Sequence, residues 1–129
     1  MRRWRAVLAL LPAVAYAAAI YWLSSRPNPF PFLPALLWDK LLHALEYAVL
    51  AALLVPALRS LGLAPPRAFW VALAAASAYG ASDEIHQAFV PGRLADVRDW
   101  LADSVGAAIG AGTTSRALRR RKAAASIRP

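Results

Sequence analysis

Residues 6–23 read AVLALLPAVAYAAAIYWL, a stretch that contains no charged residue. A helix of this length can cross a hydrocarbon core of about 30 Å, and the proline inside it is tolerated better in a membrane helix than in a soluble one. The 129-residue chain is 60% hydrophobic, which is more than a soluble domain usually contains. We therefore predict one membrane domain over residues 1–129 rather than a soluble enzyme.

Three further apolar segments extend this prediction to a four-helix transmembrane bundle. The predicted spans are residues 6–23, 39–58, 68–88 and 97–116, and a basic tail follows at 116–129. Only the first would pass a strict hydropathy test, because each of the others has ionisable residues near one end. Alanine and leucine supply most of the apolar residues, which favours helices over strands. The predicted fold class is all-α.

The basic residues are distributed unevenly along these spans. Eleven of the fifteen precede span one, separate spans two and three, or follow span four. The eleven are Arg2, Arg3, Arg5, Arg59, Arg67, Arg116, Arg119, Arg120, Arg121, Lys122 and Arg128. The positive-inside rule places such segments in the cytoplasm, so both the N and C termini are predicted to be cytoplasmic. We interpret the tail as a topology anchor beside an anionic leaflet, and we predict no nucleic-acid partner.

Tryptophan supports the same placement, because none of the five tryptophans falls in the middle of a predicted span. They are Trp4, Trp22, Trp38, Trp70 and Trp100, each close to a span end, where an amphipathic ring is favoured. A soluble four-helix bundle would bury some of them in its core. A cleaved signal peptide is the other alternative for the first segment, but its apolar run is long and ends on interface-type aromatic residues.

All the acidic residues and both histidines lie on the side of the membrane that faces outward in this topology. They occur in the outer halves of spans two to four and in the short outer link between spans three and four. They are Asp39, Glu46, Asp83, Glu84, Asp96, Asp99, Asp103, His43 and His86. Solubility alone would not segregate them in this way. A charge near the middle of a bilayer costs about 2.5–3.5 kcal/mol, so separate charges facing lipid would be prohibitive. We therefore predict one water-reachable pocket, open to the outside and lined by three helices.

Helical spacing places these residues on one face of each span. The three faces comprise Asp39, His43, Glu46 and Tyr47; Tyr79, Asp83, His86 and Gln87; and Asp96, Asp99, Asp103, Gly106 and Gly110. The last two are a small-residue pair that lets helices approach closely, so the third face should contact other helices. Tyr47, Asp83 and Asp103 are expected to share the pocket.

Two other interpretations of the polar residues stay open. The first is interhelical pinning, with Asp83, Asp99 and Arg93 in structural ion pairs. The second is a metal site, because His43–Glu46 and Asp83–His86 offer ligands at i, i+3. This spacing is generic, and we predict neither a metal nor a cofactor. No phosphate loop or serine–histidine–aspartate order is recognisable, so no enzyme reaction follows from the sequence.

Three motifs resemble the signatures of the VanZ-like membrane family. The segment DKLLH at 39–43, continuing to Tyr47, resembles the first. The segment DEIHQ at 83–87, followed by PGR at 91–93, resembles the second. Asp96, Asp99, Asp103 and Gly106 resemble the third. Together the three cover residues 39–110 in the expected order.

This resemblance implies a multi-pass protein of the bacterial cell membrane, similar to an envelope factor associated with low-level tolerance to the glycopeptide teicoplanin. On this basis we expect a non-enzymatic protein whose pocket binds an outer-leaflet amphiphile. The expected partners are a membrane lipid, a lipid-linked cell-wall intermediate or a glycopeptide. The candidate ligand-binding residues are Asp39, Lys40, His43, Tyr47, Asp83, Glu84, Gln87, Arg93, Asp99 and Asp103.

Two functional alternatives remain beside binding. A membrane enzyme acting on a lipid-linked substrate could use His43 or Glu46 as a general base. A proton or cation pathway is the other alternative. It is weakened because the inner halves of the predicted helices carry no acids to continue a relay.

Overall fold

Residues 2–27 and 37–126 are described by a computed structural model, and all regular structure in these two ranges is helical. The helices are α1 (Arg2–Leu8), α2 (Leu11–Ser24), α3 (Leu37–Ser60), α4 (Pro65–Gln87) and α5 (Val97–Ser126). The predicted all-α class is therefore confirmed over this part of the chain. Four predicted positions lie outside the described residues or side chains: Arg2, Arg3, Trp38 and Arg128.

Helices α1 and α2 together form one apolar segment. Pro12 has no N–H to donate to the preceding turn, and the helix loosens into a turn at residues 9–10 before it continues. Leu10 keeps right-handed helical angles, and Trp4–Ser24 is a 21-residue segment long and apolar enough to cross a membrane. Only Ala13, Ile20 and Ser24 of α2 are buried. Most of its large apolar side chains are exposed on the outside of the bundle.

Helix α3 is the centre of the bundle and packs against α2, α4 and α5. Its buried positions recur at helical spacing, including Tyr47, Ala51 and Val55. Asp39–Ser60 is also long and apolar enough to cross a membrane. The prediction that only the first segment would pass such a test is therefore wrong. Helices α4 and α5 are long enough but not apolar enough to meet it, so the four-span topology stays a prediction.

Helices α3 and α5 pack backbone against backbone at two glycines. A Cβ atom at Gly106 would lie 2.6 Å from the carbonyl carbon of Ala44, and one at Gly110 would lie 2.6 Å from that of Ala48. No side chain fits at such distances. The prediction that these two glycines permit close helix approach is confirmed.

The basic tail is mostly a continuation of α5. This helix ends at Ser126, well beyond the predicted end of the fourth span at residue 116. The extension is rich in arginine, lysine and alanine, which are strong helix formers, and its basic side chains are exposed. At the same end of the bundle, Gly62 (φ +95°) provides the left-handed turn between α3 and α4.

Candidate functional site

The polar residues meet at one end of the bundle. Helices α3 and α5 begin there, whereas α2 and α4 end there, so four helix termini bring their polar residues together. His43, Tyr47, Asp83, Glu84, Gln87, Asp99 and Asp103 are buried, and Asp39, Lys40 and Arg93 are partly exposed. All ten candidate residues therefore lie at this end, which we call the polar end.

Lys40 links the start of α3 to the start of α5. Its Nζ donates to Asp99, whose side chain is buried, and to Asp96 Oδ2 at 3.1 Å, and it lies 3.9 Å from Asp39 Oδ2. At the start of α5, the Arg98 backbone N–H donates to Asp96 Oδ1 at 2.8 Å. This hydrogen bond and the nearby lysine lower the pKa of Asp96 below its ordinary value. Lys40 is thus already compensated by carboxylates.

His43 is fixed between helices by Asp103. Its Nδ1 lies 2.9 Å from Asp103 Oδ1, and both side chains are buried. A carboxylate that accepts from one ring nitrogen sets the tautomer and orients the other nitrogen. The imidazole is therefore held in one orientation, as a ligand or a base requires.

Asp83 and Arg93 are linked through an amide rather than in a direct ion pair. Gln87 Nε2 donates to Asp83 Oδ2 at 3.0 Å, and Arg93 Nη2 donates to Gln87 Oε1 at 2.7 Å. The interpretation of interhelical pinning predicts ion pairs among Asp83, Asp99 and Arg93. In the structure Asp99 pairs with Lys40 instead, and Arg93 does not contact a carboxylate directly.

Four buried polar atoms at this end have no hydrogen-bond partner among the described residues. They are Ser24 Oγ, Tyr47 Oη, Glu84 Oε1 and Asp103 Oδ2. The second oxygen of Glu84 accepts from the backbone N–H of Asp96 at 2.8 Å. Buried polar groups are nearly always hydrogen-bonded, so these four atoms are the exceptions to explain.

A cavity of about 40 Å³ lies at the polar end, with room for a few water molecules. It is lined by Ile20, Leu23, Ser24, Asp39, Leu42, His43, Glu46, Asp83, Gln87 and Arg93. Its walls come from α2, α3, α4 and the loop that follows α4. The expectation that Tyr47 and Asp103 share this cavity with Asp83 is wrong, because both are fully buried and neither lines it.

The residues from α2 were missed by the sequence analysis. Ser24 lines the cavity, and its buried Oγ has no hydrogen-bond partner among the described residues. One serine at the end of an apolar span carries no helical pattern that could have identified it. Its only signal was its position at the end of span one.

Potential metal ligands group across helices and not at the i, i+3 spacing considered above. Ligand atoms of His43, Glu84 and Asp103, and likewise those of Asp39, His43 and Asp99, lie within 4.8 Å of one another. His86 joins neither group. Its Nε2 lies 3.0 Å from Ser25 Oγ, and its ring stacks on Tyr21 at 4.7 Å between centroids.

Two apolar helices able to cross a membrane, with a buried polar cluster at one end of the bundle, indicate an α-helical membrane protein. A family model described as VanZ/LLP1 matches residues 4–118, and the chain belongs to this family. The match confirms the resemblance to the VanZ-like family. No curated protein and no solved structure matches the chain.

Proposed function

We propose that this protein crosses the cell membrane four times, with both termini in the cytoplasm and the polar end at the outer surface. The support is the separation of charge. Eleven basic residues lie at one end or in the tails, whereas every acidic residue lies at the other end. Helices α4 and α5 are less apolar than α3, and they place their polar faces against other helices, where lipid does not reach them.

The polar end binds the positively charged group of an outer-leaflet amphiphile. The observation that carries this proposal is the composition of the cavity wall, where the three carboxylates of Asp39, Glu46 and Asp83 outnumber the two basic side chains, His43 and Arg93. His43 is already hydrogen-bonded to Asp103, which does not line the cavity. Lys40 forms ion pairs with Asp99 and Asp96 and lies 3.9 Å from Asp39, but none of the described ion pairs joins it to Glu46 or Asp83. A primary ammonium group is about as large as a water molecule and fits the cavity. A whole headgroup does not, so only the cationic tip enters.

Amphiphiles with such a group include amine-bearing membrane lipids, lipid-linked cell-wall intermediates and glycopeptides. Holding one of them at the outer leaflet would alter how a glycopeptide such as teicoplanin engages the membrane. The biological role that follows is an envelope factor contributing to glycopeptide tolerance.

Complementation of a deletion strain tests this role, with Glu46→Gln as the decisive variant. Glu46 lines the cavity, and none of the described hydrogen bonds involves its side chain, so the amide removes charge while the packing remains. Asp96→Asn is the matched control, because this carboxylate lies outside the cavity lining. We expect Asp96→Asn to restore teicoplanin tolerance and Glu46→Gln to fail at equal abundance. Full restoration by Glu46→Gln would contradict the proposal.

A membrane hydrolase is the second candidate function, and one arrangement favours it. Ser24 and His43 line the same cavity, and His43 Nδ1 is hydrogen-bonded to Asp103, as a general base would be. A serine-reactive fluorophosphonate tests it. Labelling of the purified protein that disappears in Ser24→Ala would support acyl transfer, and no labelling at all would remove this candidate.

A further inference from the structure

Three buried side chains from three different helices converge beside the cavity, which one of them also lines. They are His43 on α3, Glu84 on α4 and Asp103 on α5, with relative exposures of 6%, 7% and 0%. One ring nitrogen and one carboxylate oxygen from each acid lie within 4.8 Å of one another. One imidazole and two carboxylates form a mixed nitrogen and oxygen donor set of the kind that binds a divalent metal ion.

A second observation points to a missing ligand at this place. Glu84 Oε1 and Asp103 Oδ2 are buried and have no partner among the described residues. Burying a carboxylate oxygen costs substantial free energy unless the oxygen accepts a hydrogen bond, forms an ion pair or coordinates a metal. The nearby basic groups are occupied, because Lys40 pairs with Asp99 and Arg93 donates to Gln87.

The fold also leaves room for the Asp103 carboxylate. A Cβ atom at position 80 would lie 2.7 Å from Asp103 Oδ2, so a larger residue there would displace the carboxylate from its position against α4. Gly80 is one turn from Glu84 on the same helix. The glycine and the glutamate therefore shape one side of the same small site.

We propose that His43, Glu84 and Asp103 bind one divalent transition-metal ion, with zinc the preferred ion. A tetrahedral zinc ion bonded to a nitrogen and an oxygen at about 2.0–2.2 Å separates them by about 3.3 Å. The distance from His43 Nδ1 to Asp103 Oδ1 is 2.9 Å, so a shift of a few tenths of an ångström would bring these two atoms to that separation. The ion would neutralise both acids and join α3, α4 and α5. This site does not depend on the proposed amphiphile binding.

Zinc binding to the full-length protein in detergent provides the test. After chelation and desalting, the protein is titrated with Zn²⁺, Mn²⁺ or Mg²⁺, and the retained metal is measured by elemental mass spectrometry. We expect about one zinc per chain, and a dissociation constant at least tenfold larger for Glu84→Gln, since changes next to a metal site typically cost about 10–100-fold in affinity. Glu46→Gln, outside the donor set, is the control and should bind zinc as the wild type does.

Cobalt substitution of the wild-type protein is a second readout that needs no variant. Co²⁺ in a tetrahedral nitrogen and oxygen site should give visible absorption bands that zinc abolishes, and zinc should raise the melting temperature. No stoichiometric zinc and no cobalt bands would overturn the proposal, as would equal zinc affinity in Glu84→Gln and the wild type. Retention of Mg²⁺ in preference to zinc would also overturn it, because it would exclude the imidazole as a ligand.

Discussion

Replacing Gly106 with alanine should separate helices α3 and α5. The new Cβ atom would lie 2.6 Å from the Ala44 carbonyl carbon, whereas ordinary contacts begin at 3.4 Å. A flexible side chain could rotate away from such a clash, but a helix backbone cannot. The Ala44 carbonyl oxygen is nearer still, so the helices must move apart by about 1 Å or more. Overpacking of this kind typically costs about 1–3 kcal/mol, and a rigid backbone neighbour favours the upper end of that range.

Helix propensity opposes this loss, because alanine is favoured over glycine by up to about 1 kcal/mol in a helix interior. The net destabilisation is therefore about 2 kcal/mol, which lowers the melting temperature on the order of 5–10 °C for a chain of this size. The assay is thermal unfolding of the purified protein in detergent, followed by intrinsic tryptophan fluorescence.

Gly112→Ala is the matched control on the same helix. A Cβ atom there would meet only Phe69 Cε2 at 3.8 Å, an ordinary contact. We expect this variant to melt at or slightly above the wild-type temperature. A Gly106→Ala protein that melts together with Gly112→Ala would refute the close packing of α3 on α5.

Three further predictions concern the polar end. Lys40→Gln should leave the buried Asp99 carboxylate without its ion-pair partner and lower the melting temperature. The loss in free energy of unfolding should be smaller than the roughly 3–5 kcal/mol of a fully buried pair, because the lysine is partly exposed. The pKa of Asp96 is lower in the folded protein than in the unfolded chain, so the ionised carboxylate stabilises the fold. This stabilisation is complete above the pKa in the unfolded chain, about 4, and is lost as the pH falls through the lower pKa in the folded protein. Melting curves between neutral pH and pH about 3 should accordingly show a weaker acid destabilisation in Asp96→Asn. In intact cells, an impermeant thiol reagent should label Asp39→Cys faster than Ala51→Cys, since Ala51 is fully buried; equal labelling would contradict the open polar end.

The helices and the position of the polar end could be predicted because each depends on patterns within one segment. The spacing of Asp39, His43 and Tyr47 placed them on one face of α3, and the structure buries the last two. Gly106 and Gly110 likewise indicated where α5 approaches a neighbour. Such features need only the helical period of 3.6 residues and the cost of burying charge.

The contacts between helices could not be predicted in the same way. Periodicity defines a face, but it does not define which neighbour that face meets or how far around the helix the burial extends. His86 and Gln87 are adjacent and were placed on one face, yet His86 turns toward Tyr21 and Ser25 while Gln87 is buried beside Asp83. The partner of a lone side chain is decided by packing between helices.

The expected open pocket was too large for the same reason. Counting ionisable residues predicted one shared cavity, but the structure divides them into a partly exposed group around Lys40, a small cavity and a buried cluster at Asp103. Hydrogen bonding among the polar residues accounts for this division. An acid that finds a partner on another helix no longer needs water.

Native mass spectrometry of lipids retained by the purified protein tests the central claim most directly, with Asp83→Asn as the comparison. Asp83 accepts a hydrogen bond from Gln87 and has no basic residue within salt-bridge distance among the described pairs. The amide has nearly the same shape, keeps a hydrogen-bond acceptor and leaves no basic residue without a partner. The abundance of the protein and its melting temperature should therefore be unchanged. We expect the wild type to retain an amine-bearing amphiphile from the membrane and Asp83→Asn to lose it. Equal retention by both proteins, or retention of anionic lipid alone, would contradict the account.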